Sequence, residues 1–212
     1  MKDSLFDKSA DDYDNWYVSN PEIFASEVKA IKALDLQGFG LDVGAGTGLV
    51  SSEIGAQIAL DPSISMLRLS RRRRLDAVRG VAESLPFADR LFDFVLIAAT
   101  ICFLRNPVDS MLEIRRVLKD HGSVAVCMIP KDSPWGRLYS EKGKEGHRIY
   151  SKARFYNVNE ARSLLRECGF RPDKITSVLH YGPESKPRPE IPSIDNEKGG
   201  FVCIRAKKST TT

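Results

Sequence analysis

Residues 41–50 read LDVGAGTGLV and carry the clearest signal of the fold. An apolar run ends at Val43 and is followed by Gly44, Gly46 and Gly48. Closely spaced glycines after a buried strand let the backbone turn tightly around a ligand, as in phosphate, dinucleotide and other nucleotide-like sites. The stretch therefore predicts a strand, a ligand-binding turn and a helix.

Further apolar runs alternate with helical patterns along most of the chain. The predicted strands are residues 39–43, 57–61, 77–81, 92–99 and 122–129, and the predicted helices are 21–34, 106–119 and 158–168. Strands that are apolar throughout and alternate with helices indicate a parallel sheet covered on both faces. Residues 175–181 and 201–206 are strand-like without a helix between them, so we expect them to pair antiparallel. The pattern predicts a doubly wound α/β fold in a single domain, residues 1–212.

Composition agrees with one globular domain. The chain has 212 residues, of which 42% are hydrophobic and 28% charged, and this is ordinary globular usage. No apolar stretch approaches the roughly 18 residues that span a bilayer, and the N-terminus has no apolar signal core. We therefore expect a cytoplasmic protein without a membrane partner. The net charge of +4 is too small to indicate a nucleic-acid partner, and nothing indicates the oligomeric state.

The four cysteines are widely spaced and form no CxxC pair. This spacing argues against a zinc site, and the lack of a secretory signal argues against a disulfide framework. We therefore expect no bound metal and buried, reduced thiols at Cys102, Cys127, Cys168 and Cys203.

The neighbours of the glycines narrow the choice of ligand. No Lys-Ser or Lys-Thr pair follows them, as a Walker loop requires, and the third glycine comes one residue earlier than in the dinucleotide fingerprint. Asp42 lies two residues before the first glycine. At an effective dielectric near 20, its carboxylate would repel a pyrophosphate about 4 Å away by roughly 4 kcal/mol. S-adenosylmethionine, which is cationic and carries no phosphate, meets this condition.

A second acid lies at the end of the second predicted strand. Asp61 follows Asp42 by 19 residues, and open α/β sheets bind ligands at the carboxyl ends of their strands. We expect both aspartates in one crevice, with Asp61 accepting hydrogen bonds from ribose hydroxyls. A nicotinamide enzyme also carries an acid at this point, so Asp61 alone does not decide between the cofactors.

Four longer stretches carry a family resemblance: LDVGAGTG, ALDPSISML, GVAESLPFADRLFDFVLIAATICFL and LEIRRVLKDHGSVAV. In this order they resemble the motifs of the class I S-adenosylmethionine-dependent methyltransferases. The likeness is greatest to the small-molecule group typified by the ubiquinone and menaquinone C-methyltransferases. It covers residues 6–170 and implies a Rossmann-like, seven-stranded, mostly parallel sheet with a reversed final β-hairpin.

The resemblance also implies roles for individual residues. The methionine portion of the cofactor is expected beside Asp42, Gly44, Ala45, Gly46 and Gly48, and the ribose on Asp61. Pro62, Met66, Ala82 and Glu83 are expected around the adenine, with Ile97, Ala98 and Ala99 beneath the sulfonium. Two motifs depart from the family pattern. Val81 stands where relatives commonly have Asp, and Cys102-Phe103 where they often have His-His, which puts a quinone-type acceptor in doubt.

Two segments are candidates for the acceptor site. The predicted N-terminal helical cap, residues 1–38, supplies Tyr13 and Tyr17. Residues 131–154 follow the fifth predicted strand and contain seven basic and three acidic residues. We expect a lid that favours an anionic or polar acceptor, with an ordinary surface excursion as the alternative. Cys102 and His147 are further substrate candidates, and His147 is the histidine to test as a base.

Two other segments receive simpler interpretations. The sequence SRRRRL, residues 70–75, is expected to be a solvated helix end, because no aromatic residues interleave with its arginines for base stacking. The proline-rich connector, residues 182–199, is expected to be mobile, with a functional lid as the alternative.

The predicted function is direct methyl displacement from S-adenosylmethionine to an unidentified small molecule. Because this donor is already activated, alignment supplies most of the catalysis, and the sequence identifies no catalytic residue. The fourth predicted strand lacks the Asn/Asp-Pro-Pro-aromatic motif of nucleic-acid amine methylation. A non-catalytic S-adenosylmethionine-binding subunit or regulator, a protein or RNA methyltransferase, and a nicotinamide oxidoreductase remain alternatives.

Overall fold

The computed structural model describes residues 6–7 and 10–209. Its helices are α1 (Ala10–Ser19), α2 (Pro21–Lys32), α3 (Leu49–Ile54), α4 (Ile64–Arg72), α5 (Pro107–Val117), α6 (Pro134–Lys144) and α7 (Val158–Glu167). Its strands are β1 (Gly40–Val43), β2 (Ile58–Asp61), β3 (Asp76–Arg79), β4 (Phe92–Ala98), β5 (Leu118–Met128), β6 (Phe170–Val178), β7 (Ser193–Ile194) and β8 (Phe201–Lys208). Among these residues, no helix combines the length and apolar character needed to cross a membrane.

The strands form a single sheet in the order β3-β2-β1-β4-β5-β8-β6-β7. Strands β1 to β5 pair in parallel, whereas β8 is antiparallel to both β5 and β6. This arrangement confirms the mostly parallel sheet with a reversed end. The prediction of seven strands is one short, because the two-residue β7 adds to the edge through the pair Ser177 and Ser193. The strand order reverses between β1 and β4, which is where open α/β sheets bind ligands.

Helices cover both faces of the sheet. On one face, α5 and α7 bury Met111, Ile114 and Leu165 against the strands. On the other face, α2 and α6 bury Ile31 and Trp135 in a second cluster. Apolar residues of the central strands are therefore enclosed on both sides, as their continuous hydrophobic runs predict.

Local capping signals determine where several helices begin. A capping box begins α7, because Asn157 and Glu160 each accept a 2.8 Å hydrogen bond from the other's backbone amide. Ser63 caps α4 by accepting a bond from the amide of Met66. These caps satisfy amides that lack a partner within the helix.

Two contacts join the proline-rich connector to the rest of the domain. The amide of Glu190 donates a 2.9 Å hydrogen bond to the hydroxyl of Ser26 in α2. The guanidinium of Arg188 lies 4.6 Å from the ring centroid of Tyr181. These contacts join the connector to α2 and to the end of the sheet.

The cysteines differ from the expectation of four reduced thiols. Cys127 of β5 and Cys203 of β8 are direct cross-strand partners, and the structure joins them as a disulfide. Cys102 and Cys168 are free. The prediction is therefore wrong for one pair, because sequence spacing does not show that the reversed strand places these two residues side by side.

Candidate cofactor and acceptor site

The glycine-rich turn between β1 and α3 requires glycine for its shape. Gly44, Gly46 and Gly48 have φ angles of 72°, 56° and 76°, a region that other residues adopt only at a cost. A Cβ atom on Gly44 would lie 2.2 Å from Cγ2 of Thr100. The amides of Gly44 and Ala45 donate to the carbonyl of Leu60 at 2.8 and 3.0 Å. The turn is therefore held against β2 in one conformation.

Asp61 at the end of β2 is bonded to this turn. Its Oδ2 accepts a 2.9 Å bond from the amide of Gly46, and its Oδ1 accepts a 2.8 Å bond from the amide of Ser63. Burial raises the pKa of Asp61 to about 6, although these backbone bonds lower it. A carboxylate has about four lone-pair sites, so Asp61 can still accept bonds from two hydroxyls of a ligand.

Asp42 lies beneath the turn rather than on the cavity wall. Its side chain is buried, and its Oδ2 accepts a 2.7 Å bond from the hydroxyl of Ser51. Its Oδ1 is buried without a hydrogen-bond partner in the described part of the chain. Burial raises the pKa of Asp42 to about 7, the bond from Ser51 lowers it, and the charge of Asp61 raises it further. Any effect of Asp42 on a ligand would therefore be mainly electrostatic.

Helix α1 is attached to the same turn through one carboxylate. Oδ1 of Asp14 accepts a 2.5 Å bond from the hydroxyl of Thr47, and Oδ2 accepts one of 2.5 Å from Arg73. Arg73 also donates to the carbonyl of Thr47 at 2.9 Å. Arg73 is thus a structural bridge, whereas the sequence interpretation treated its arginine run as a solvated helix end.

A cavity of about 1320 Å³ begins at the glycine turn and runs beneath α1 to α6. This volume exceeds the roughly 300–1,000 Å³ of a typical single-ligand pocket, so the cavity has room for two ligands. Predicted cofactor residues on its wall are Gly44, Gly46, Asp61, Pro62, Met66, Ala82, Glu83, Ala98 and Ala99. Predicted acceptor residues on its wall are Tyr13, Tyr17, Cys102 and His147.

Four of the predicted cofactor residues do not line the cavity: Asp42, Ala45, Gly48 and Ile97. Ile97 is fully buried in the core beneath α5, because alternate side chains of β4 point to opposite faces. A Cβ on Gly48 would lie 2.4 Å from Cδ1 of Leu75, so this glycine permits close packing of the turn. The motif positions alone did not show that these four residues lie away from the cavity wall.

Glu83, which the motifs predict to lie near the adenine, also has a structural role. Its Oε1 accepts bonds from the amides of Arg105 and Asn106, at 2.9 and 3.3 Å. The neighbouring Val81 also lines the cavity and offers only apolar contact. Glu83 therefore stabilises the loop before α5 while bordering the cavity.

Aromatic side chains surround the other end of the cavity. Tyr13 and Tyr17 enter from α1, with ring centroids 5.2 Å apart. Tyr139 of α6 packs against Tyr150 with ring centroids 4.6 Å apart. Trp135 of α6 also lines the cavity and donates a 2.7 Å bond from Nε1 to the carbonyl of Tyr181. We call this region the aromatic end.

Residues 131–154 supply part of the aromatic end through α6 and the following turn. His147 is exposed, stacks on Tyr150 at 4.5 Å, and accepts bonds from the amides of Ile149 and Tyr150 through Nδ1. Arg148 and Lys152 also line the cavity and are exposed. The sulfur of Cys102 is 3.6 Å from the carbonyl oxygen of Ala99. Burial raises the pKa of Cys102 to about 12, so its thiol is a poor nucleophile.

Sequence reasoning missed one acidic residue at the aromatic end. Glu27 of α2 is only 6% exposed, lines the cavity, and accepts a 3.0 Å bond from the hydroxyl of Tyr17. Burial raises its pKa to about 7, and the bond from Tyr17 lowers it. Its spacing of four residues from Ile23 and Ile31 places an acid within the apolar stripe of α2. That signal could have identified it.

Comparison with known proteins supplies the family. A family model described as a methyltransferase domain matches residues 41–126. A crystal structure from Thermotoga maritima, described as a SAM-dependent methyltransferase and possible histamine N-methyltransferase, has a TM-score of 0.92 and 31% identity. The alignment covers 97% of this chain and 99% of that chain. The chain is an S-adenosylmethionine-dependent methyltransferase.

Two sequence relatives extend the comparison. The methyltransferase is 35% identical over 205 residues to an uncharacterised protein of Methanocaldococcus jannaschii, covering 97% of this chain and 99% of that protein. It is 34% identical over 154 residues to a demethylmenaquinone methyltransferase of Renibacterium salmoninarum. That match covers 65% of this chain and 63% of the relative. The likeness to quinone methyltransferases is thus partial.

The glycine end of the cavity suits the cofactor of this methyltransferase. Two buried acids, Asp42 and Asp61, lie at the turn, and the partner-free Oδ1 of Asp42 is an uncompensated acceptor among the described residues. The cations on the wall, Arg105, Arg148 and Lys152, are all exposed. Such a charge distribution favours a cationic ligand with an uncharged nucleoside over a pyrophosphate.

Proposed function

We propose that the methyltransferase transfers the methyl group of S-adenosylmethionine to a small molecule bound at the aromatic end of the cavity. The observation that supports this most is a continuous, partly open cavity, about 1320 Å³ in volume, that joins the glycine turn to the aromatic end. Residues of α1 and α6 line it, so these helices would limit the access of water to both reactants.

The glycine end would hold the cofactor. The ribose hydroxyls would bond to Asp61, and the methionine portion would follow the backbone of Gly44 and Gly46. Met66 and Ala82 would contact the adenine. When bound, S-adenosylmethionine supplies a methyl group activated by its sulfonium. The chain's residues orient the two reactants, and such positioning can lower a barrier by roughly 7–11 kcal/mol.

Ligand-dependent stability tests cofactor binding at the proposed position. A ligand at 100 times its dissociation constant stabilises the folded state by about 2.7 kcal/mol. We expect S-adenosylhomocysteine to raise the melting temperature, NAD to leave it unchanged, and Asp61→Ala to remove the rise. Asp76→Ala is the matched control, because Asp76 is exposed on β3. A rise with NAD, or an unaltered rise in Asp61→Ala, would contradict the assignment.

Transfer of a labelled methyl group to a fractionated metabolite extract tests the choice of acceptor. We expect label in small molecules that chromatography separates from the labelled cofactor, and no such labelled products when the enzyme is omitted. Label confined to protein or RNA would instead support the alternative acceptors. Cofactor binding without transfer to any fraction would support a non-catalytic S-adenosylmethionine-binding subunit.

A further inference from the structure

Glu27 is a buried acid on the wall of the aromatic end of the cavity. Its Oε2 accepts a 3.0 Å bond from Tyr17 of α1, and its charge acts on the phenols of Tyr17 and of Tyr139 in α6. We infer that the acceptor is an organic amine whose ammonium group binds the carboxylate of Glu27 at the aromatic end. This inference deepens the proposed function and rests on it.

The bonding of Glu27 leaves one oxygen for a ligand. Oε2 accepts the 3.0 Å bond from Tyr17, whereas Oε1 accepts no hydrogen bond from the described residues. No ion pair joins Glu27 to a cation in residues 6–7 and 10–209. A buried carboxylate without a counter-ion is costly. An ammonium group would supply both the missing charge and the missing donor.

The surrounding rings also suit a cation. Tyr13, Tyr17 and Tyr139 line the cavity, and the charge of Glu27 acts on all three phenols. Tyr150 lines the cavity beside Tyr139. Aromatic faces attract ammonium groups within about 6 Å. The cations that border the cavity, Arg105, Arg148 and Lys152, are exposed. The buried part of the aromatic end is therefore acidic and aromatic, which argues against an anionic acceptor, one of the two classes expected from the basic lid sequence.

Glu27 can also receive the proton that an amine must lose before it reacts. The ammonium transfers one proton to the carboxylate, which leaves a neutral amine and a carboxylic acid. The nitrogen lone pair then forms the N–C bond as the C–S bond breaks, and that electron pair stays on sulfur as a neutral thioether. The methylated product carries the positive charge. Burial raises the pKa of Glu27 to about 7, which matches this role at neutral pH.

Binding to the protein saturated with S-adenosylhomocysteine tests the inference. The probes are phenethylamine and phenethyl alcohol, which differ in the cationic group. By calorimetry, we expect the wild type to prefer the amine and Glu27→Gln to weaken amine binding at least about tenfold, with alcohol binding within about twofold. Glu22→Gln is the matched control, because it makes the same charge change on α2 away from the cavity wall.

Three results would overturn the inference. The wild type could bind the amine no better than the alcohol, or Glu27→Gln could leave amine binding unchanged. In the third case, Glu27→Gln weakens the binding of S-adenosylhomocysteine tenfold, which would mean that Glu27 belongs to the cofactor site. In the first two cases the cofactor still binds, so failure of the inference is distinct from failure of the proposed function.

The pH dependence of the wild type provides a second test. Tyr13, Tyr17 and Tyr139 face Glu27, and burial raises the pKa of each above its usual value, so they stay protonated. Between about pH 8 and pH 6, protonation of Glu27 should weaken amine binding about tenfold. Asp42 and Asp61 titrate in the same range; the alcohol corrects for any change that they cause in the pocket itself, and amine binding to Glu27→Gln measures their effect on a cation. Equal pH dependence of amine and alcohol would contradict the inference.

Discussion

The hydroxyl of Thr47 in the glycine turn donates a 2.5 Å hydrogen bond to the carboxylate of Asp14 in α1. Arg73 at the end of α4 bonds to the other oxygen of that carboxylate at 2.5 Å. One acidic residue thus connects the N-terminal helix to the proposed cofactor site. Because Tyr13 and Tyr17 of α1 line the cavity, this connection also positions part of the acceptor end.

Loss of the Asp14 carboxylate should loosen α1. Charge-assisted hydrogen bonds contribute about 1.5–3 kcal/mol, so we expect Asp14→Ala to weaken S-adenosylhomocysteine binding about tenfold in calorimetry and to speed protease cleavage within α1. Asn15→Ala is the control, because Asn15 is exposed on the same helix. Unchanged affinity and cleavage in Asp14→Ala would show that α1 does not depend on this contact.

The glycine turn should not tolerate a methyl group at Gly44. Both Gly44 and Gly55 have positive φ, at 72° and 75°, but only Gly44 has a neighbour within 3 Å of an added Cβ. We expect Gly55→Ala to cost about 1 kcal/mol of backbone strain and to bind S-adenosylhomocysteine normally. Gly44→Ala should cost more and lose binding. Denaturant unfolding and calorimetry measure both effects, and equal behaviour of the two variants would refute the close-packing argument.

The buried Asp42 should make the unliganded protein less stable as pH rises. Burial raises its pKa from 3.8 to about 7, so the unfolded chain loses this proton first and stability falls from about pH 4 to about pH 7. Asp42→Asn removes this contribution. As the pH rises from about 4 to about 7, the unfolding free energy of Asp42→Asn should therefore increase by up to about 4 kcal/mol relative to that of the wild type.

Urea unfolding of both proteins at the two pH values measures this difference. Asp76→Asn on exposed β3 is the control and should show little change between them. A constant difference between wild type and Asp42→Asn would mean that Asp42 titrates normally in the folded protein.

Trp135 should anchor α6 through its indole nitrogen. Trp135→Phe keeps an aromatic ring but removes the 2.7 Å bond to the carbonyl of Tyr181, leaving a buried acceptor without its donor. We expect a loss of about 1–3 kcal/mol in unfolding free energy. The more exposed Trp16, at 40%, gives the control Trp16→Phe, for which the loss should be smaller. The reverse order would contradict this role.

Features that depend on neighbours in the chain were predictable from sequence. The glycine turn, the capping box of Asn157 and Glu160, and the reversed end strands each carry their signal within a few residues. The short β7 lacks such a signal, because its two residues form a strand only through pairing with the distant β6. The pairing of Cys127 with Cys203 and the bridge from Arg73 to Asp14 likewise depend on contacts between distant segments.

The candidate site was predicted less completely than the fold. Motif positions identified Asp61, Met66 and Ala82, which line the cavity. The motifs did not show that the side chain of Ile97 points into the core. Side chains of β4 alternate between the two faces of the sheet, but both faces are apolar, so the sequence does not show which residues point to which face. Glu27 belongs to no motif, and its proposed role follows from its burial and from its bond to Tyr17, which lies in a separate helix.

Both tryptophans of the chain, Trp16 and Trp135, border the cavity. Ultraviolet emission from the native protein therefore originates beside the space that the reactants would occupy. Indole fluorescence responds to changes in local polarity, so occupancy can be followed optically, in real time and without an attached dye. The chain in this way contains its own reporter for screening candidate acceptors.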